Sequence, residues 1–329
     1  MLRAIACVGA ILTAMAAQGA AAQSYPDKSI TTVVVWGEGG GTDSINRMIM
    51  AEMAKFLPVD IEVTNVTGGA AGSNGMNFVH EKPADGYTLV GLSESNVTAG
   101  VLGGFGERFD VWYPFIVGGS PDLVSSTPKS QYLTFEALIE DARANPRKVR
   151  VAAGGAGSIH HLNMLALAKG AKVEFEFIPH NGSGPSHEAA LNGDVDVVIT
   201  SLAEQYDLID QGQLYPLAML TPEPGSEIPS AFDLFPEVAE YLPLKQAIGF
   251  AIRADAPDRV KTALEAAFEQ AMQADAVAQW ALFNAYDLSG KSGAEAMDTF
   301  AKLESNFAWT LHDLGAAQVN PASLGIPKP

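Results

Sequence analysis

Cysteine is all but missing from this chain: its single copy, Cys7, lies in an apolar N-terminal stretch. If that stretch is removed, every cysteine-based mechanism goes with it. Basic residues are scarce too, 20 Lys and Arg against 38 Asp and Glu, for a formal charge of −18. Such an acidic surface argues against nucleic acid and anionic lipid as partners. A small anion remains admissible, because exposed charges are screened within about 10 Å and short-range donors in a cleft can outweigh them. Beyond the N-terminus no apolar run approaches the roughly 20 residues that cross a bilayer. No G-x-S-x-G, H-E-x-x-H or lysine-bearing phosphate loop is present. Ser158 and His161 lie within one turn of one expected helix, the wrong relative geometry for a nucleophile and its base. The sequence therefore reads as a binding protein without catalytic machinery, metal ligands or cofactor.

The first 22 residues carry Arg3, an apolar run from Ile5 to Ala17 and the small-residue site Ala20-Ala21-Ala22. They read as a secretory signal peptide cut before Gln23, which places the mature protein in the periplasm. With 47% hydrophobic and 18% charged residues the remainder can bury a large core, and its length suggests two domains. No solenoid repeat or low-complexity tract interrupts it.

Residues 31–47 set the pattern. Val33, Val34 and Val35 form a β-branched run, Gly37, Gly39, Gly40 and Gly41 break it, and Ile45, Met48, Ile49 and Met53 return at helical spacing. A glycine-rich turn that opens a helix lets successive N–H groups converge at the positive end of the helix dipole, a seat for carboxylate or phosphate. The plainer reading is a turn that only caps the helix through Thr42 or Asp43. A second such turn runs from Asn65 to Gly75 after the expected strand Asp60–Thr64, and Ser93-Glu94-Ser95-Asn96 forms a third polar strand end. The pattern recurs at Val149–Ala153, Gly154-Gly155-Ala156-Gly157-Ser158 and the helix bearing His161 and Leu162, and again at Val195–Ile199 with Thr200-Ser201. An extended run from Phe115 to Val124 leaves the first domain, Lys172–Ile178 reads as a strand, and Ala247–Ile252 crosses back. Helices are expected over 258–283 and 293–314. This alternation argues for parallel sheets with the ligand at the strands' carboxyl ends.

Together these segments resemble the solute-binding receptors of the tripartite tricarboxylate transporter family, also called Bug-type receptors. The resemblance is carried by Tyr25-Pro26-Asp27-Lys28-Ser29-Ile30, Gly39-Gly40-Gly41-Thr42-Asp43 with Arg47, Asn65 to Gly75, Asp85-Gly86-Tyr87-Thr88-Leu89, Gly155-Ala156-Gly157-Ser158 with His161-Leu162, Pro179-His180-Asn181-Gly182-Ser183 and Gly193-Asp194-Val195-Asp196. It implies an α/β, two-domain periplasmic binding protein, a type II-like Venus flytrap with two crossing segments. Residues 23–119 with 249–329 would form the first domain and residues 120–248 the second. It implies one small organic acid between the lobes: a di- or tricarboxylate, an aromatic or short-chain acid, or an acidic amino acid. A monomer would deliver it to the membrane subunits of a tripartite transporter; the same flytrap could instead signal to a receptor kinase.

Carried over position by position, the proximal seat is Gly39, Gly40, Gly41, Thr42 and Asp43 with Gly68, Gly69, Ala70, Ala71 and Gly72. The distal contacts are Gly155, Ala156, Gly157, Ser158, Thr200 and Ser201. Trp36 and Ser93, at strand ends, complete the expected site, with core packing the blander role for Trp36. Asp43 reads as a helix N-cap or a ligand-facing acceptor. Glu38 reads as pointing to solvent; in the cleft it would select a ligand with an amine or hydroxyl beside its acid. Of His160 and His161, one is expected to pack and the other to face solvent.

Overall fold

The computed structural model describes residues 25–221, 227–240 and 246–329. The signal peptide read at residues 1–22 lies outside them, as does most of the loop that the prolines from Pro222 to Pro229 suggest in the sequence. The described residues form the strands β1 (Ile30–Val34), β2 (Ile61–Asn65), β3 (Thr88–Ser93), β4 (Trp112–Gly119), β5 (Asp122–Ser126), β6 (Arg150–Ala152), β7 (Glu176–Phe177), β8 (Val197–Ser201), β9 (Tyr215–Met219), β10 (Ile248–Arg253) and β11 (Asp287–Lys291). The α-helices are α1 (Gly41–Met53), α2 (Ser73–His80), α3 (Phe135–Ala144), α4 (Ile159–Ala171), α5 (Ser183–Asn192), α6 (Leu202–Asp210), α7 (Ala231–Leu234), α8 (Asp258–Met272), α9 (Asp275–Phe283) and α10 (Gly293–Asp313).

The strands form two sheets, each the centre of one lobe. One has the order β11-β4-β10-β3-β1-β2 and the other β7-β6-β8-β5-β9. The β-branched run of β1 is buried on both faces, as an inner parallel strand between β2 and β3 requires. Beneath it, Ile45, Ile49, Met50 and Met53 of α1 meet Val260, Leu264 and Phe268 of α8 in one cluster. A second core, including Leu138, Val151, Leu167 and Ile199, fills the other lobe.

The sheets are mixed where a parallel arrangement was expected. β10 runs antiparallel to both β3 and β4, and β5 antiparallel to both β8 and β9. The cause is the crossing chain. β4 ends in the first sheet at Gly119 and β5 begins in the second at Asp122, so each lobe receives one strand that enters from the other and runs against its neighbours. The two crossings lie together: Ser120 N–H donates to Gln246 Oε1 at 2.8 Å, and a Cβ on Gly119 would stand 2.5 Å from the Gln246 carbonyl. Two further departures are local. The helix expected over 258–283 divides at Gln273 and Ala274, and β7 keeps only two residues of the strand expected over Lys172–Ile178. Among the described residues no helix is long and apolar enough to cross a membrane.

Candidate functional site

The lobes meet face to face. Gly37 N–H donates to the Asn181 carbonyl at 3.0 Å, Ala71 N–H to the Ala156 carbonyl at 3.0 Å, Thr98 Oγ1 to the Gly157 carbonyl at 2.8 Å, and Ile159 N–H to Ser95 Oγ at 2.8 Å. Gly157 permits this approach: its φ is +82°, and a Cβ there would stand 2.2 Å from Leu102 Cδ1. Between the lobes lies a cavity of about 30 Å³, room for ordered water.

Helix N-termini surround that cavity. Gly40, Gly41 and Thr42 bring α1 to it, Ser158, Ile159 and His160 bring α4, and Gly182 and Ser183 bring α5. Ser158 caps α4 by accepting from His161 N–H, while Gly40 and Gly182 leave the starts of α1 and α5 without a side-chain cap. Three helix starts, each the positive end of its dipole, thus face one small space, an arrangement that favours negative charge.

A carboxylate of the chain itself takes up part of that potential. Glu204, in the first turn of α6, accepts from Gly41 N–H through Oε1 at 2.7 Å. Its Oε2 accepts from Ser201 N–H at 2.9 Å and from Ser201 Oγ at 2.7 Å. His160 Nε2 lies 3.2 Å from the same oxygen, and its Nδ1 lies 2.8 Å from Asp122 Oδ2, which also accepts from Asn163. Burial alone would raise the Glu204 pKa, but the His160 charge and these hydrogen bonds outweigh it and hold the group well below the usual range. Burial likewise opposes protonation of His160, and the Asp122 and Glu204 carboxylates reverse that, raising its pKa well above 6.5. Glu94 has no such counter-charge in contact. It is 1% exposed and accepts from Ala247 N–H and Ser95 Oγ, yet burial pushes its pKa up to about 7.

Of the residues expected to bind, Trp36, Gly40, Gly41, Thr42, Ser93, Gly155 and Ser158 line the cavity. Trp36 joins the core while its ring edges the cavity over Gly155, where a Cβ would stand 3.0 Å from it. Gly39, Asp43, Gly68, Gly69, Ala70, Ala71, Gly72, Ala156, Gly157, Thr200 and Ser201 are not among its lining residues. The second glycine turn docks on the other lobe through Ala71 and Ala156, Gly72 packs against Val35 and Asn96, and Thr200 Oγ1 pairs with His187 Nε2 at 2.8 Å. Ser201 holds Glu204.

Asp43 departs from both of its readings. The N-cap is Gly40, and the Asp43 carboxylate accepts instead from Gly39 N–H at 3.0 Å, Arg47 Nε at 2.9 Å and Asn65 Nδ2 at 2.9 Å, tying the turn together from behind. Glu38 points to solvent with its side chain 83% exposed. His160 is the packed member of the histidine pair; His161, expected to face solvent, is instead largely covered, stacked on Phe177 with Nδ1 accepting from Gly157 N–H at 3.1 Å.

Sequence reasoning missed Glu204, Glu94, Gly182, Ser183 and Gln246, all of which line the cavity. A signal for Glu204 was present: Ser201-Leu202-Ala203-Glu204 is a capping-box sequence, and the box forms. Its local role hides the second one, because nothing in the spacing reports that the same carboxylate reaches the other lobe.

The profile of the tripartite tricarboxylate transporter family receptor matches residues 45–302. The protein BugT of Bordetella pertussis is 30% identical over 241 residues, 70% of this chain and 72% of that protein. Across the curated relatives the aligned stretch spans 59% to 86% of their length. Among solved structures, the periplasmic binding protein BugD superposes with a TM-score of 0.81 at 20% identity, covering 89% of this chain and 99% of that one. MatC from Rhodopseudomonas palustris, solved with bound malate, gives 0.80 at 21% identity over 87% of this chain and all of that one. These structures share the two-lobed α/β fold found here. By profile, by its BugT relative and by fold, the chain belongs to the receptors of the tripartite tricarboxylate transporter family, Bug type.

Proposed function

We propose that this chain is an extracytoplasmic solute-binding receptor that closes its two lobes on a small organic acid and delivers it to the membrane subunits of a tripartite tricarboxylate-type transporter. In this reading residues 23–119 with 249–329 form one lobe, residues 120–248 the other, and the export signal at residues 1–22 sends the chain to the periplasm. One observation carries the proposal: where three helix N-termini converge, a carboxylate, that of Glu204, is already held by a backbone N–H at 2.7 Å. The site therefore holds a carboxylate with N–H and O–H donors and the His160 imidazolium, with no Lys or Arg among the described lining residues. The malate of MatC agrees with this chemistry. Closure replaces water around the acid with fixed donors and gives a membrane partner a loaded shape to recognise.

The test is a thermal-melt screen of the chain without residues 1–22, refolded to strip carried-over solute, against organic acids and their matched amides. An acid at about 100 times its Kd adds about 2.7 kcal/mol. A shift with an acid and none with its amide is the expected result. Shifts with amides or sugars alone would refute the carboxylate reading.

A further inference from the structure

We infer that Glu204 stands in for one acid group of the cargo, so that this chain accepts a small zwitterion, one carboxylate with an ammonium group, in preference to a di- or tricarboxylate. The inference rests on the carboxylate reading above and narrows it.

The donors of the first glycine turn are already engaged. Gly39 N–H serves Asp43, Gly40 N–H the Gly37 carbonyl at 3.3 Å, and Gly41 N–H serves Glu204. Glu204 is not an idle occupant, since Ser201 and His160 fix it from its own lobe and its side chain is only 5% exposed. A second cargo carboxylate at the start of α1 would have to evict it or lie against it, and like charges in a dry site repel strongly.

Charge counting points the same way. Among the described residues that line the cavity, His160 is the one side chain that can carry positive charge, and Asp122 and Glu204 both already contact it. Glu94 and Glu204 then remain as acids facing the space. The Glu94 oxygens accept from Ser95 and Ala247 and retain lone pairs, since a carboxylate offers about four acceptor sites. An ammonium group there supplies the counter-charge that Glu94 lacks, while the start of α5, where Gly182 makes no side-chain cap, faces the single carboxylate. Trp36 adds an aromatic wall on which a cation is also tolerated.

The experiment compares wild type, Glu204→Gln and Glu94→Gln by calorimetry at neutral pH, with far-UV circular dichroism as the folding control. Glutamine keeps an acceptor for Gly41 N–H, so the fold should survive. The probes are the L-amino acids with their deaminated counterparts, 4-aminobutanoate, butanedioate and hexanedioate. At least one amine-bearing acid is expected to bind wild type tenfold or more tightly than its amine-free partner and than either diacid. Glu204→Gln should cut that preference at least tenfold and strengthen the diacids; Glu94→Gln should weaken the amine-bearing acid. A diacid that binds wild type tenfold more tightly than every amine-bearing acid overturns the inference and leaves the carboxylate receptor standing. An amine preference that both variants retain in full overturns the roles of Glu204 and Glu94. Silence from every acid, with and without an amine, overturns the receptor reading and this inference with it.

Discussion

Gly41 and Glu204, 163 positions apart, are joined across the cleft by a single hydrogen bond from the Gly41 N–H. The residue at 41 is glycine for want of room: a Cβ would stand 2.9 Å from the Tyr286 hydroxyl and 3.1 Å from Glu204 Oε1. The first turn of α1 is therefore shaped both by Tyr286 of its own lobe and by the Glu204 that the other lobe brings to it.

Gly41→Ala should weaken closure more than folding. Alanine suits a helix better than glycine does, which offsets part of the shift that the methyl group forces on the Tyr286 hydroxyl within its own lobe, so the melting temperature of the isolated protein should change little. The added methyl group should keep the lobes apart, lowering affinity for the bound acid at least about tenfold, or 1.4 kcal/mol. Calorimetry and small-angle scattering on the variant check the two halves of this expectation.

Asp43→Ala should cost stability instead. Its carboxylate is 3% exposed and joins Gly39, Arg47 and Asn65. Removing it strands the Gly39 N–H and the Asn65 amide, for a loss of about 2 to 4 kcal/mol in urea unfolding. Asp43→Asn, which keeps one acceptor oxygen, should lose less.

Stability should peak near pH 6.5. Burial depresses His161 and His187 to about 4, so the unfolded chain binds more protons between pH 4 and 6.5 and stability falls as pH drops through that window. Each contributes up to about 3 kcal/mol. Glu204, depressed in the fold, adds to the acid loss below its unfolded value. Glu94 and His160 act oppositely, because both hold protons better in the fold. The Glu94 contribution is lost as pH rises from its unfolded value to about 7, and the His160 contribution as pH climbs from 6.5 to its raised pKa. Between pH 4.5 and 6.5 the two depressed histidines outweigh Glu94, so the slope there is positive. Melting curves from pH 4 to 9 check the peak, and His187→Gln should flatten its acid side.

Glu38→Gln should leave acid affinity within about threefold, less than 1 kcal/mol. Its side chain is 83% exposed, and its 4.0 Å approach to Arg47 is a surface pair. A larger change in calorimetry would put Glu38 within reach of the cargo.

What the sequence made legible follows from where each signal is written. The turns at 39–41 and 154–158 announced themselves because glycine at a strand end records a backbone requirement locally. Their assembly around one cavity, from two different sheets, came from the family resemblance, since strand-helix alternation orders turns within one sheet only. The reversed strands β5 and β10 were not legible, since an apolar run carries no direction. The break at Gln273 and Ala274 has no proline or glycine to mark it. Glu204, Glu94 and Gln246 were missed because their site roles are set by the opposing lobe or the crossing chain, and such contacts leave no periodic trace.

The contacts that hold the lobes together also make a gauge. The N–H groups of Gly37, Gly41, Ala71 and Ile159 each point to an acceptor in the opposite lobe. When the lobes part, these four amides lose their partners together while the ladders of β1 and β8 keep theirs. Their rates of deuterium uptake therefore count the fraction of molecules shut at any moment, without label or cargo.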